Sequence, residues 1–98
     1  MTYPKLPALV AMPAGPVTVL VKPITLKGEE GAVGWWDADS RTVTISPTLE
    51  RRLQWATLYH ELTHAMLSDS GLDYLIDDKM QEALCEANAS ARMRERFG

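Results

Sequence analysis

His60-Glu61-Leu62-Thr63-His64 sets both histidines of a 98-residue chain four positions apart, with a carboxylate between them. On an α-helix, positions i and i+4 lie one above the other on one face. Two imidazoles at this spacing can therefore be aimed at a common point about 2 Å from each, which is the length of a zinc–nitrogen bond. Glu61 lies roughly 100° further around such a helix. It is poorly placed to share the ligand position and well placed to reach a water at the same ion. Two ligands and a general base are the mechanical content of H-E-x-x-H. The competing reading is two hydrogen-bonded core histidines with no metal.

A catalytic zinc takes three protein ligands and a water, and the chain has no third histidine. The carboxylates of the downstream segment Met80-Gln-Glu-Ala-Leu-Cys-Glu-Ala-Asn-Ala-Ser-Ala-Arg-Met93 are the natural source. Glu82 and Glu86 are themselves i and i+4 on a helix, flanked by Cys85, Ala89 and Met93. Small or apolar neighbours would let this helix lie close to the histidines. Glu82 ranks first as third ligand and Glu86 second, with Cys85 possible in principle. The glutamate that is not a ligand could accept a hydrogen bond from the outer N–H of a ligand histidine and so fix its tautomer. The bland alternative for either glutamate is a solvated surface charge.

These residues need a scaffold, and the pattern predicts α+β: a small antiparallel sheet of about three strands followed by two helices. Five of six prolines fall in the first 23 residues, so residues 1–15 read as a proline-rich extended arm. Val17-Thr-Val-Leu-Val21 reads as a strand that Pro23 pushes to a sheet edge or end. Residues 27–31 read as a loop. Residues 32–37 and 42–46 read as a hairpin, with Asp and Ser supplying the turn. Val43 and Ile45 alternate with Thr42, Thr44 and Ser46, as in a half-buried strand. Trp35 and Trp36 must face opposite sides, one of them toward the core.

The first helix is expected over about 47–69, with Ser46 as N-cap, Pro47 at the first position and Gly71 as the stop. Trp55, Leu58, Tyr59, Leu62, Ala65 and Met66 share one arc. Leu53, Ala56, Thr57, His60, His64 and Leu67 share the other. Neither arc is charged, so the helix should be sandwiched between the sheet and the second helix. The second helix is expected over about 75–96, with a core stripe of Ile76, Met80, Ala83, Leu84, Ala87 and Ala91. Tyr59 and Tyr74 read as packing residues.

Composition bounds the function. The chain is 46% hydrophobic and 23% charged, with net charge −3, which fits one globular domain over 1–98 rather than a disordered tail. The short basic run Arg92-Met-Arg-Glu-Arg96 suits the negative end of a helix better than it suits nucleic acid. Cys85 is the only cysteine, so no internal disulfide is possible and a cytoplasmic setting fits best. No apolar run approaches the roughly 20 residues that span a bilayer.

His60-Glu61-Leu62-Thr63-His64 followed 18 residues later by Glu82 resembles a gluzincin-type zinc metallopeptidase, in a minimal form. The pair Glu82 and Glu86 is similar to the Glu-x-x-x-Asp element of that clan, in which the first residue binds zinc and the last supports a histidine. A strand hairpin, then Thr57-Leu-Tyr-His-Glu-Leu-Thr-His-Ala-Met-Leu67, then Glu82-Ala-Leu-Cys-Glu-Ala-Asn-Ala-Ser-Ala91, resembles the compact phage and prophage metallopeptidases related to the ImmA/IrrE group. The likeness covers residues 33–91. Cys85-Glu-Ala-Asn-Ala-Ser-Ala91 is also similar to the E-A-N-x-F-A stretch of that group, with Ser90 where the aromatic stands; this alignment favours Glu86 as ligand.

The resemblance implies one Zn²⁺ held by His60, His64 and Glu82, Glu61 as general base, and a protein or peptide substrate in the host cytosol. The substrate would lie along an edge strand of the hairpin. Neither nucleic acid nor a membrane is an expected partner. The alternative is a metal-stabilised binding or structural module without turnover, since a small core gains folding free energy from a bound metal.

Overall fold

The computed structural model describes residues 2–25 and 31–98. The loop expected at 27–31 lies almost wholly outside the described residues. The architecture is α+β, with four strands rather than three: β1 (Leu9–Val10), β2 (Val17–Val21), β3 (Gly34–Asp37) and β4 (Thr42–Ile45), then α1 (Arg51–Ser70), a 3-10 turn (Leu72–Tyr74) and α2 (Asp78–Phe97).

The strand order is β1-β2-β4-β3, and the sheet is mixed where an antiparallel one was expected. The two arms of the hairpin, β3 and β4, pair antiparallel with Trp36 opposite Val43 and Gly34 opposite Ile45. β4 then inserts beside β2 and runs parallel to it, Val19 opposite Val43. The chain passes up β2, down β3 and up β4, so placing β4 next to β2 makes that pair parallel. Among the described residues, β3 is left at the edge, paired only with β4. Alternation along β2 and β4 buries Val17, Val19, Val43 and Ile45, as a period of two requires. Opposite partners share a face, so Gly34 and Trp36 also point toward the helices.

The proline-rich arm is not free. Leu9 and Val10 add β1 to the outer side of β2, Leu6 is buried, and the Trp55 indole donates to the Pro4 carbonyl at 2.7 Å. β2 is thus an interior strand, and Pro23 lies beyond its end rather than on an edge. Prolines lack one donor but keep an acceptor, which lets such an arm dock through carbonyls and a two-residue strand. Arg41, in the left-handed region at φ 48°, ties the hairpin turn to this arm and to α1. It donates to Gly15 O at 2.9 Å and pairs with Asp69 at 2.7 Å.

α1 starts four residues later than expected. The Ser46 hydroxyl accepts from the Thr48 N–H at 3.3 Å and so closes a local turn instead of capping a helix. Glu50 precedes the first helical residue without a side-chain cap. Gly71 ends the helix at φ 77° with its N–H on Ser68 O, as the sequence suggested. α1 packs on β3 and β4 and on α2. Trp55, Leu58 and Tyr59 enter the core, whereas Met66, expected on that arc, is 49% exposed.

α2 starts at Asp78, a few residues later than expected, because Asp77 supplies the cap: its carboxylate accepts from Met80 N at 2.7 Å. The expected core stripe of α2 is overturned. Met80, Ala83, Leu84, Ala87 and Ala91 are exposed, and Cys85 and Ala89 are buried. Cys85 and Ala89 lie against α1, where the two helices approach closely; the expected stripe lies on the side of α2 that no further layer covers among the described residues. Tyr74, expected to pack, is 91% exposed. Among the described residues, no helix is long and apolar enough to cross a membrane.

Candidate metal centre

α1 and α2 run antiparallel, so stepping back along α1 meets residues further along α2. His64 meets Gln81 and Glu82, Thr63 meets Asn88, and His60 meets both Glu82 and Glu86. The part-buried Thr63–Asn88 contact sets the register. Asn88 Nδ2 donates to Thr63 Oγ1 at 2.8 Å, and that hydroxyl donates to Tyr59 O at 2.8 Å.

The two imidazoles sit side by side with ring centroids 5.1 Å apart. His60 Nε2 lies 3.0 Å from Glu82 Oε2, and His64 Nε2 lies 2.9 Å from Glu82 Oε1. One carboxylate thus spans both Nε2 atoms. The other ring nitrogens are engaged outside this centre: His60 Nδ1 is 2.7 Å from Glu86 Oε1 and His64 Nδ1 is 2.8 Å from Gln81 Oε1. In the tautomer that carries its hydrogen at Nδ1, each ring donates to one of those oxygens. A neutral ring then presents a bare lone pair at Nε2, and both lone pairs face carboxylate oxygens. That arrangement repels unless both rings gain a proton or a cation lies among the three groups. The donor set therefore fits a divalent ion, with Nε2, Nε2 and a carboxylate oxygen inward and the outer nitrogens oriented.

A thiol also reaches this centre. Ligand atoms of His60, His64 and Cys85 lie within 4.8 Å of one another, close enough to hold a metal ion. Burial, followed by the negative charge of Glu82, Glu61 and Glu86, pushes the Cys85 thiol up to about 12. It is thus a thiol at neutral pH and a poor donor until a cation displaces its proton.

Glu61 stands beside the histidines in the cleft between β3 and α2. Burial pushes its carboxyl above the ordinary value, while His64 and His60 pull it down and Glu82 adds a push upward. A carboxylate raised in this way is a stronger proton acceptor. Gly34 makes its position possible. A Cβ at Gly34 would stand 2.5 Å from Thr57 Cγ2, 3.1 Å from Glu61 Oε2 and 3.2 Å from Glu61 Cγ. Only a residue without a side chain lets β3 pass this close to α1.

Two hollows meet over Gly34, His60, Glu61 and Glu82. One, of about 570 Å³, runs toward Arg52 and Arg94. The other, of about 530 Å³, runs toward Trp36 and Asp73. The centre therefore lies midway along an open cleft. Its ligand candidates differ in exposure: His60 and His64 side chains are 15% and 18% exposed, Glu82 58%.

The structure brings together His60, His64, Glu82 and Glu61, with Glu86 on the outer nitrogen of His60. The sequence reading missed Gln81 and Gly34. Gln81 was discoverable: it lies one turn before Cys85 on the small-residue face that also includes Ala89. Gly34 was also discoverable, because a glycine inside a strand marks a close backbone approach. No family model, curated protein or solved structure matches the chain.

Proposed function

We propose that the chain is a zinc-dependent metallopeptidase of the compact H-E-x-x-H kind. The observation that carries this reading is the convergence of His60 Nε2 and His64 Nε2 on the Glu82 carboxylate, at 3.0 and 2.9 Å, with both Nδ1 atoms already engaged. His60, His64 and Glu82 would hold the ion, and Glu86 and Gln81 would keep the rings turned toward it. Bound zinc supplies Lewis acidity to a water and to a scissile carbonyl. Glu61 takes the proton of the attacking water at its carboxylate and passes it to the leaving amine. The unpaired edge of β3 accepts an extended peptide as an added strand.

The test combines metal and turnover. Zinc should raise the unfolding temperature and a chelator should reverse the rise. The zinc-loaded protein should cleave peptides, Glu61→Gln should keep the metal and lose cleavage, and His60→Ala should lose both. Failure to take up added zinc would end this reading.

One observation favours a second reading, a metal-stabilised module without turnover: the proximity of Cys85 to both histidines. Four protein ligands would close the position that hydrolysis needs. Cobalt loading separates the two, since a thiolate ligand gives an intense near-ultraviolet charge-transfer band and a His₂Glu site does not.

A further inference from the structure

The two ends of the cleft carry opposite charge, two arginines at one and Asp73 at the other, while Glu61 and Glu82 line both hollows and Glu86 lines the arginine one. On α1, Arg52 precedes His60 by two helical turns, about 12 Å along the axis. On α2, Arg94 follows Glu86 by the same interval. Because the helices are antiparallel, both guanidinium groups line the same end of the 570 Å³ hollow. Among the described residues neither makes an ion pair, in contrast to Arg41 on Asp69. Between the metal centre and these arginines the lining includes Leu53, Ala56, Ala89 and Met93 beside Ser90 and Glu86, the latter held on His60 Nδ1. Among the described residues, the opposite hollow has no lysine or arginine in its lining and ends at Asp73, whose Oδ1 is buried without a hydrogen-bond partner.

We infer that Arg52 and Arg94 form a carboxylate-binding subsite, so that the substrate is a peptide with a negative group at a set distance on one side of the scissile bond. This rests on the peptidase reading of the centre. The distance follows from the geometry: about 12 Å of helix matches roughly four residues of extended chain at about 3.3 Å each. The intervening groove takes small or apolar side chains. A carboxylate placed at the other end would meet Asp73 in place of the two arginines, so the charge at the two ends also sets which way the peptide lies. The carboxylate has two sources, an Asp or Glu side chain or the free C-terminus of a short peptide; guanidinium forks bind either bidentately.

Binding is read separately from turnover, on zinc-loaded Glu61→Gln protein. The probes are fluorescein-labelled peptide pools with Asp, Asn or Lys fixed at one position, and short peptides ending in a free acid or an amide. The Asp pools should bind tightest, by about threefold to fivefold for each arginine engaged, and the preference should shrink at high salt. Arg52→Gln and Arg94→Gln should each reduce it, and Arg52→Glu with Arg94→Glu should turn it toward Lys. In the Glu61 background of the natural chain, the arginine changes should raise KM for Asp peptides and leave kcat in place. A preference for the acid over the amide, without one for internal Asp, would identify the C-terminus as the source. Equal binding of Asp and Asn pools together with equal binding of acid and amide, no measurable binding of any peptide, or a preference unchanged in both arginine variants would overturn the inference. An intact Asp preference in a protein that cleaves nothing would leave the subsite standing and remove the peptidase reading.

Discussion

Gly34→Ala is the sharpest perturbation of this fold, because the clash it creates is defined atom by atom. The new Cβ would stand 2.5 Å from Thr57 Cγ2, against about 3.5–4.0 Å for a comfortable carbon–carbon contact. About 1 Å must be found, either by lifting β3 off α1 or by turning Thr57. Overpacking of this kind costs about 1–3 kcal/mol. An opposing effect comes from the unfolded chain, which loses entropy when glycine becomes alanine and so favours the fold by about 0.4–1 kcal/mol. The clash wins, for a net loss of roughly 0.5–2 kcal/mol, or about 4–8 °C of unfolding temperature for each kcal/mol in a chain of this size.

Urea unfolding followed by circular dichroism and tryptophan fluorescence measures the loss. A double-mutant cycle with Thr57→Ala assigns it. With the Cγ2 gone, Gly34→Ala should become neutral or stabilising, a coupling of about 1–2 kcal/mol. The remaining contacts are with Glu61, whose Oε2 and Cγ would be 3.1 and 3.2 Å from the Cβ. Its flexible end would have to move, so the stable double variant should still lose peptidase activity. A Gly34→Ala protein within about 0.5 kcal/mol of the natural chain, or a coupling near zero, would refute the close approach of β3 to α1.

The two glutamates are separable by zinc competition against a chromophoric chelator. Glu82→Ala should abolish tight binding, whereas Glu86→Ala, which removes only the partner of His60 Nδ1, should weaken it about 10–100-fold; the reverse order would exchange their roles. Cys85, with its thiol pushed up from 9.0 to about 12, should hold about a thousandfold less thiolate at pH 8 than an ordinary thiol of that reference value. Ellman's reagent should therefore label the folded protein very slowly and the urea-unfolded protein at once, and fast labelling of the folded chain would contradict the burial. Thr63→Val removes the acceptor of Asn88 Nδ2 and should cost about 1–3 kcal/mol in urea unfolding, with Asn88→Leu in the same chain recovering part of it.

Local patterns made much of the fold legible. The alternation of Val43 and Ile45 with Thr42 and Thr44 gave the inward face of β4, because strand periodicity needs no tertiary information. Gly71 gave the end of α1, because an αL position at a helix terminus favours glycine over any other residue. The arm and the face of α2 were less legible. Leu9 and Val10 are too few to signal a strand and become one only because β2 offers an unpaired side. On α2, hydrophobicity pointed to Met80 and Leu84, but close helix packing selected Cys85 and Ala89. Ala83, Ala87 and Ala91 are as small as Ala89 and stay exposed, so the face that α2 turns toward α1 decided that contact, and the tertiary structure sets that face.

At the candidate site, the spacing of His60 and His64 by itself determined that two imidazoles would share a face, since 3.6 residues make a turn. The same spacing put Glu61 to one side of them. It could not decide between Glu82 and Glu86 as the group facing both Nε2 atoms, because two carboxylates one turn apart are equivalent until the axial offset of α1 and α2 is set. The Thr63–Asn88 contact and the Cys85–Ala89 interface set that offset in the tertiary structure. They bring Glu82 level with the gap between the histidines and leave Glu86 one turn further on, against the outer nitrogen of His60.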